Sequence, residues 1–408
     1  MQAVSFFDIL KYMAFSENIK NTIFHTAIIG GGASGLMCAG SFAEQKIIIE
    51  RNAKLALKVS ISGGGKCNFS NRFVNAKDYV SENKHFCKNA LAAFKPQDFI
   101  RLLDDKKIPW EERQNGQLFA YRAQDIVRFL TERAKQAQTT FLTDTMALDV
   151  RQENGLFYIE TSAGTIKARH LVLASGGLSY PSLGAGGFGI KTAVKLGHTI
   201  IAQRPVLAGL TLPKPLRERF SRLAGNSLTA EVSIGKTKEK GQLLFTHDGF
   251  SGPAVLQASL YWLENQAVDI DFLPDQNALD IFKKNKDSKL TFLQTLQPFF
   301  SGKILQTLLG DLNKELANAS REDMEKAALQ IHRFHFTPVS TSGYTKAEAT
   351  AGGVNTREIF PNTFKSRLTD KLYITGELLD VTGRVGGFNL HWAFASGFAA
   401  GKDLEKSF

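Results

Sequence analysis

Cysteine is scarce in this chain, with three residues among 408: Cys38, Cys67 and Cys87. An odd number at those spacings builds neither a disulfide framework nor a zinc site, and no C-x-x-C pair is present. A reducing, cytoplasmic setting is therefore the expectation. No apolar run approaches the roughly 18–20 residues that a membrane span requires. The start of the chain has neither a basic flank nor a small-residue cleavage site, so no export signal is expected. Internal repeats and low-complexity tracts are absent as well, which excludes solenoid and fibrous classes.

What is present is an ordinary globular composition, 43% hydrophobic and 22% charged, long enough for two or three domains. Fifty Lys and Arg stand against 39 Asp and Glu, a net charge of +11. Such an excess favours anionic ligands or nucleic acid. The basic stretches Lys214–Arg222 and Lys283–Lys289 have no interleaved aromatic stacking positions, however. They read as solvated faces, and a nucleic-acid partner is not expected from them. The 31 phenylalanines suit a large aromatic core.

Residues 1–24 show no period and read as an N-terminal extension. From His25 to Glu50 the pattern is strand, glycine turn, short helix and strand, a βαβ unit. Residues 123–138 place Ile126, Phe129, Leu130, Ala134 and Ala137 on one helical face. Two strands joined by a turn at Ala163–Gly164 fill 156–178. The middle differs in character: 203–275 reads as β-rich, with a turn at Gly235, and 276–335 as helical. The strand LYIT from Leu372 and a final small-residue helix then resume the opening architecture. The expected fold is α/β, a Rossmann-like domain formed by 25–200 and 340–408 with an insertion at 201–339.

Gly30-Gly31-Gly32-Ala33-Ser34-Gly35 follows the strand Ala27–Ile29 and satisfies G-x-G-x-x-G. Gly30 permits the tight turn, Gly32 lets backbone approach a pyrophosphate, and Gly35 allows helix and strand to pack closely. Glu50, at the end of the next strand, can accept hydrogen bonds from a ribose. Only fourteen residues separate Gly35 from Glu50, so the first helix is expected to be short. A second match, Gly184 to Gly189, follows Pro181 rather than a strand and is read as a decoy. That removes the best candidate for a second dinucleotide domain. The glycine-rich loop Ser62-Gly63-Gly64-Gly65 can form an anion-binding nest. Near the end, Gly376 to Asn389 follows a strand and opens the last helix, so its carboxylates and helix N-terminus can meet a ribityl chain and a flavin.

The strings IIGGGASGL, ISGGGKCNFSN, NGQLF, LVLASGGLSYPSLGAGGFG, LLFTHDGFSGPAVLQAS, TSGYTKAEATAGGVN and GELLDVTGRVGGFNLHWAFASG occur in this order. From about residue 25 onward the chain resembles the bacterial HI0933-like, or aminoacetone oxidase, family of FAD-dependent oxidoreductases. The resemblance implies a two-dinucleotide-binding-type FAD domain built from both ends of the chain, with a β-barrel-like domain and a helical subdomain inserted. It places Gly30, Gly32, Ala33, Ser34 and Gly35 on the pyrophosphate, and Glu50 with Arg51 at the adenosine ribose. Ser62, Gly63, Gly64 and Gly65 would lie beside phosphates and flavin, Met146 would meet adenine through its backbone, and Ala174, Ser175 and Gly176 would close the adenosine side. Gly376, Glu377, Asp380, Gly386, Gly387, Phe388 and Asn389 would make the C-terminal flavin contacts. Lys66 and Ala120 depart from the family's usual Arg and Pro without touching these positions.

The remaining reactive residues read as structural. Cys67 sits in the glycine loop but reads as a buried thiol, Cys38 as helix packing, and His247 and His391 as satisfied histidines. Tyr344 and Glu348 are candidates for the active-site side, and His332 with His335 lacks a third metal ligand. The expected activity is transfer of a hydride between a small organic substrate and non-covalent FAD, with NAD(P)H a candidate transient reductant. A flavin-dependent RNA-modifying protein and a flavin-binding module without turnover stand as alternatives. Catalytic residues, the substrate and the oligomeric state are left open.

Overall fold

The computed structural model describes residue 19 and residues 21–407. Most of the expected extension, residues 1–18 and 20, lies outside the described residues. The chain divides into two compact units, residues 1–204 with 349–408, and residues 205–348.

The first unit is organised by a seven-stranded sheet of β1 (Ile23–Ile29), β2 (Lys46–Ile49), β3 (Thr139–Leu142), β4 (Ala147–Glu153), β5 (Leu156–Thr161), β6 (Gly164–Leu173) and β7 (Leu372–Ile374). The order is β3-β2-β1-β6-β5-β4, with β7 also on β6. One edge of β6 holds β1 in parallel along Lys167–Leu173. Its other edge is shared: Gly164–Ala168 pairs antiparallel with β5, and Leu171–Leu173 pairs parallel with β7. The C-terminal strand thus enters the centre of a sheet begun near the N-terminus. The β2 residues Lys-Ile-Ile-Ile are all buried, as expected of a parallel strand covered on both faces. Lys46 satisfies its ammonium with the carbonyls of Phe42 and Ala137, and burial lowers its pKa to about 8.

Two helices fix the ends of the chain to each other. The first, α1 (Ala33–Ala39), has seven residues, as short as the spacing predicts. The last, α2 (Phe388–Leu404), has seventeen. A methyl group on Gly397 would stand 2.3 Å from Ser34 O, and one on Gly401 2.7 Å from Cys38 O, so only small residues permit this approach. Between β2 and β3 the chain makes a long excursion. It carries a small antiparallel sheet of Asn68–Asn71, Gln117–Ala120 and Trp110–Glu112, and it packs aromatic rings on α2. Phe99 stacks on Phe394 at 4.5 Å, and Phe94 meets Phe398 at 4.9 Å.

The second unit is a seven-stranded antiparallel sheet with six helices, Lys214–Phe220, Pro253–Ser259, Ala278–Lys284, Phe292–Leu296, Gly302–Leu309 and Arg321–His332. Its two outermost strands, Phe334–Phe336 and Ser340–Thr341, are separated by three residues. Six flat interstrand spacings would hold them about 29 Å apart, yet the connection reaches only about 14 Å. The sheet must therefore curl round, which accounts for the barrel-like character. The decoy is settled likewise: Pro181–Leu183 is a single helical turn and no strand feeds Gly184–Gly189.

His391 on α2 is fully buried. Its Nε2 donates to Phe94 O at 3.1 Å, so its Nδ1 accepts from Ser70 Oγ at 2.9 Å. Burial lowers its pKa to about 4, and burial beside His25 does the same for His170. Both fold as neutral rings while the unfolded chain takes up protons from about pH 6.5 downward. Stability is therefore complete above pH 6.5 and is lost as pH falls towards 4, by about 3 kcal/mol for His391 alone. Urea midpoints followed by circular dichroism should drop across that interval; a flat profile would show that these rings are not held neutral.

Candidate functional site

The first glycine turn separates into packing and open positions. A methyl group on Gly30 would lie 2.4 Å from Ala174 O, and one on Gly35 2.0 Å from Gly30 O, whereas nothing lies within 4 Å of one on Gly32. Gly30 and Gly35 thus bring β1, β6 and α1 together, and Gly32 faces open space. Ala33 and Ser34 begin α1, whose first turn no side chain caps. The Ser34 hydroxyl donates to Thr375 Oγ1 at 2.7 Å, joining the turn to the strand that precedes Gly376.

At the end of β2, Glu50 accepts from Gly31 N at 2.8 Å, and from the backbone and side-chain nitrogens of Asn52 at 2.9 and 2.8 Å. Arg51 is exposed and donates to Gly184 O at 3.0 Å, while Asn52 donates to Leu183 O. The second glycine string is therefore a flap fastened beside Glu50 rather than a nucleotide turn. Both backbone polar groups of Met146 are engaged by Ser162, at 3.1 Å through Ser162 Oγ and 2.9 Å through Ser162 N.

The loop after Ser62 has three successive left-handed residues, Gly63, Gly64 and Gly65, at φ of 55°, 67° and 84°. A Cβ on Gly63 would strike the Phe119 ring, and nothing lies within 4 Å of one on Gly64 or Gly65. Side chains are excluded here by conformation and admitted by space, the form of a nest that presents backbone N–H groups. Cys67 closes the loop and is buried, and that burial pushes its thiol up to about 12. It is no nucleophile at neutral pH. Across the sheet, Ala174 N donates to Ile29 O, Gly176 opens to free space, and the buried Ser175 Oγ has no partner.

Glu377 forms a cluster that the sequence did not announce. Its Oε2 accepts from Lys58 Nζ at 2.7 Å, and its Oε1 from Thr350 N at 2.8 Å and Ser179 Oγ at 3.2 Å. Lys58 also reaches Ser179 Oγ at 2.6 Å. Four chain segments thus meet at the carboxyl ends of β6 and β7, where open α/β sheets bind ligands. Asp380 is turned inward, with Oδ2 accepting from Glu82 N at 2.8 Å, and burial raises its pKa. Gly386 and Gly387 lead into α2, where a Cβ on Gly387 would lie 2.2 Å from Ser70 O. The Asn389 side chain pins Gly383 through both of its polar atoms, at 2.8 and 3.0 Å. Phe388 is buried and its carbonyl accepts from Tyr79 Oη. Asn52 and Lys58 were missed because each is a polar residue outside any motif, and Ser179 and Thr350 because nothing within their strings marks them as partners of Glu377.

His332 is held by Asp271 and Ala278 N, and His335 by Asp269. His247 is exposed in a turn, and Tyr344 and Glu348 belong to the second unit. Among the described residues no cluster of three or more His, Cys, Asp or Glu could hold a metal.

The model of the HI0933-like protein Rossmann domain matches residues 24–403. The chain belongs to that family. As a member of the HI0933-like family it is an FAD-dependent oxidoreductase in class. An Escherichia coli K12 relative, a ribosomal RNA dihydrouridine synthase, is 37% identical over 392 residues, 93% of this chain and 98% of that protein. A protein of the same name from Haemophilus influenzae is 35% identical over 407 residues, 96% of this chain and 99% of that one. A 3-dehydro-bile acid delta(4,6)-reductase from Clostridium scindens is 30% identical over 406 residues, 92% and 97% of the two chains. No described helix is long and apolar enough to cross a membrane.

The open positions at Gly32, Gly64, Gly65 and Gly176 and the unpartnered Ser175 hydroxyl suit a long phosphate-bearing cofactor laid across the sheet edge. Gly32→Val should fill that space and reduce FAD retention at least tenfold, read as flavin absorbance per protein after gel filtration; unchanged absorbance would refute the placement. Lys58→Met and Glu377→Gln should each destabilise the protein by about 1–3 kcal/mol, because each strands a partly buried partner. The double variant should cost less than the sum of the two. Thermal unfolding of the four proteins checks this, and strict additivity would show that the pair is not coupled.

Proposed function

We propose that this enzyme is a flavin-dependent reductase that saturates a carbon–carbon double bond conjugated to a carbonyl, with a uracil of ribosomal RNA as substrate. The observation that carries the reading is that two relatives matched over 98% and 99% of their own lengths share one name, ribosomal RNA dihydrouridine synthase. A uracil ring and the dienone of a 3-dehydro-bile acid present the same electrophilic unit, which unites those relatives with the bile acid reductase. The RNA alternative raised by the net charge is thereby preferred over a small organic substrate, although the lysine runs alone spoke against nucleic acid.

In this reading Gly32, Ser34 and Ser62 to Gly65 hold the pyrophosphate through backbone N–H groups, and Glu50 takes the adenosine ribose. FAD, when bound, supplies hydride chemistry that no side chain of this chain can supply. Lys58 fixes Glu377, and Ser179 and Thr350 complete the ring of partners, so that the wall beside the ribityl chain is set before the cofactor arrives. Gly386 and Gly387 let α2 begin close to that wall, and its first N–H groups favour negative charge there. The net reaction adds a hydride and a proton across the double bond, with the electron pair drawn from a reduced nicotinamide nucleotide. A reducing cytoplasm suits the three free, buried thiols.

The second reading, a small cyclic enone, is favoured by the bile acid reductase, matched over 97% of its length. Holoenzyme with NADPH should convert one uridine of an unmodified ribosomal RNA transcript to dihydrouridine, seen by mass spectrometry as a gain of two hydrogens. Turnover of a 3-oxo-4,6-diene bile acid without change in the RNA would select the second reading instead.

A further inference from the structure

The positive charge is not spread over the chain. Residues 51–135, the excursion between β2 and β3, hold 17 Lys and Arg against 9 Asp and Glu, which is +8 of the total +11. The second unit, residues 205–348, holds 17 against 16. The basic runs at 214–222 and 283–289 are thus balanced within their own unit, and the excess lies in the unit that carries the candidate site.

Part of this excursion is fastened to the loop that opens α2. Asn71 Nδ2 donates to Gly386 O at 3.1 Å, and Arg384 N donates to Asp78 O at 3.0 Å. Tyr79 and Val80 pair with Gly383 and Thr382, and Glu82 N donates to Asp380 at 2.8 Å. Residues 66–84 therefore form a rim along the Asp380–Phe388 loop. Lys66, Lys77 and Lys84 on this rim are exposed and have no ion-pair partner among the described residues. Between Lys66 and Lys77 in the sequence comes Phe73, 67% exposed, the most exposed large hydrophobic residue of the described chain. Its backbone N–H donates to Asn71 Oδ1 at 3.0 Å, and its ring edge lies against Gly116, where a Cβ would come within 2.6 Å. The ring is held in place with much of its surface in solvent.

We propose that this rim is an RNA-docking surface, on which a nucleobase stacks on Phe73 while Lys66, Lys77 and Lys84 neutralise neighbouring phosphates. The inference rests on the RNA reading of the site and adds to it where the strand lies. Polyanion charge complements the lysines, and an aromatic platform among cations is the pattern of single-strand recognition. A small enone would need neither the unpaired lysines nor the exposed ring.

Filter binding of an unmodified ribosomal RNA transcript to FAD-loaded full-length protein tests the surface across a salt series. Lys77→Gln with Lys84→Gln should weaken binding on the order of tenfold at low salt and make the log–log salt slope shallower by about 1.5. Phe73→Ala should weaken binding about tenfold with an unchanged slope. Flavin content and bleaching of the flavin band by dithionite should stay at wild-type values in both. Lys283→Gln with Lys284→Gln, in the other unit, should bind as wild type. Rim variants that bind as tightly as wild type, while wild type still makes dihydrouridine, would overturn the docking surface and leave the function standing. Wild-type protein that neither retains the transcript nor modifies it would overturn both.

Discussion

The close approach of the last helix to the first is the contact on which the rest of the first unit depends. Gly397 and Gly401 bring α2 to the backbone of Ser34 and Cys38. Thr375 and Gly376 then lock the two ends together: Ser34 donates to Thr375, Gly376 N donates to Ser396 Oγ, and Trp392 Nε1 donates to Gly376 O. With these ends fixed, β7 takes its place on the far side of β6, and the glycine turn after β1 comes to lie beside the loop after β7. Larger residues at either glycine would separate the helices by more than a side-chain adjustment can absorb, since both contacts are with backbone atoms.

Several features of the site were legible from residue types alone. The division of labour among Gly30, Gly32 and Gly35 is stated by the motif and reproduced by where a Cβ would clash and where it would not. The short first helix follows from counting residues between Gly35 and Glu50. Pro181 excludes the strand that the second glycine string would require. The barrel-like character of the second unit was an implication of the family resemblance, and it has its own physical ground in the brief link between edge strands.

Other features were not legible, for identifiable reasons. Lys58 and Glu377 are 319 positions apart, and no local pattern marks a pair whose meeting depends on the whole sheet. The side chains of Asp380 and Asn389, expected among the C-terminal flavin contacts, also serve the chain's own backbone. In the folded chain Asp380 accepts from the Glu82 backbone and Asn389 fastens the Gly383 turn. A polar side chain near a loop serves whichever unpaired backbone group is nearest once the chain has folded. The charge excess was visible as a total, but its sign asymmetry emerges only when residues are assigned to units. That assignment moves attention from the lysine runs of the insertion to an excursion that carries no motif.

The interleaving of β7 and α2 with a sheet begun near residue 23 also orders events in time. A chain leaving the ribosome from its N-terminus can form β1, β2 and β3 early, and the second unit, which has a hydrophobic core of its own, is synthesised whole before β7. The central strand on β6 and the helix that braces Ser34 come last. A nascent chain therefore has an unfinished sheet edge on β6 until Leu372–Ile374 has been made, and the wall that Glu377 helps to form waits on the same strand.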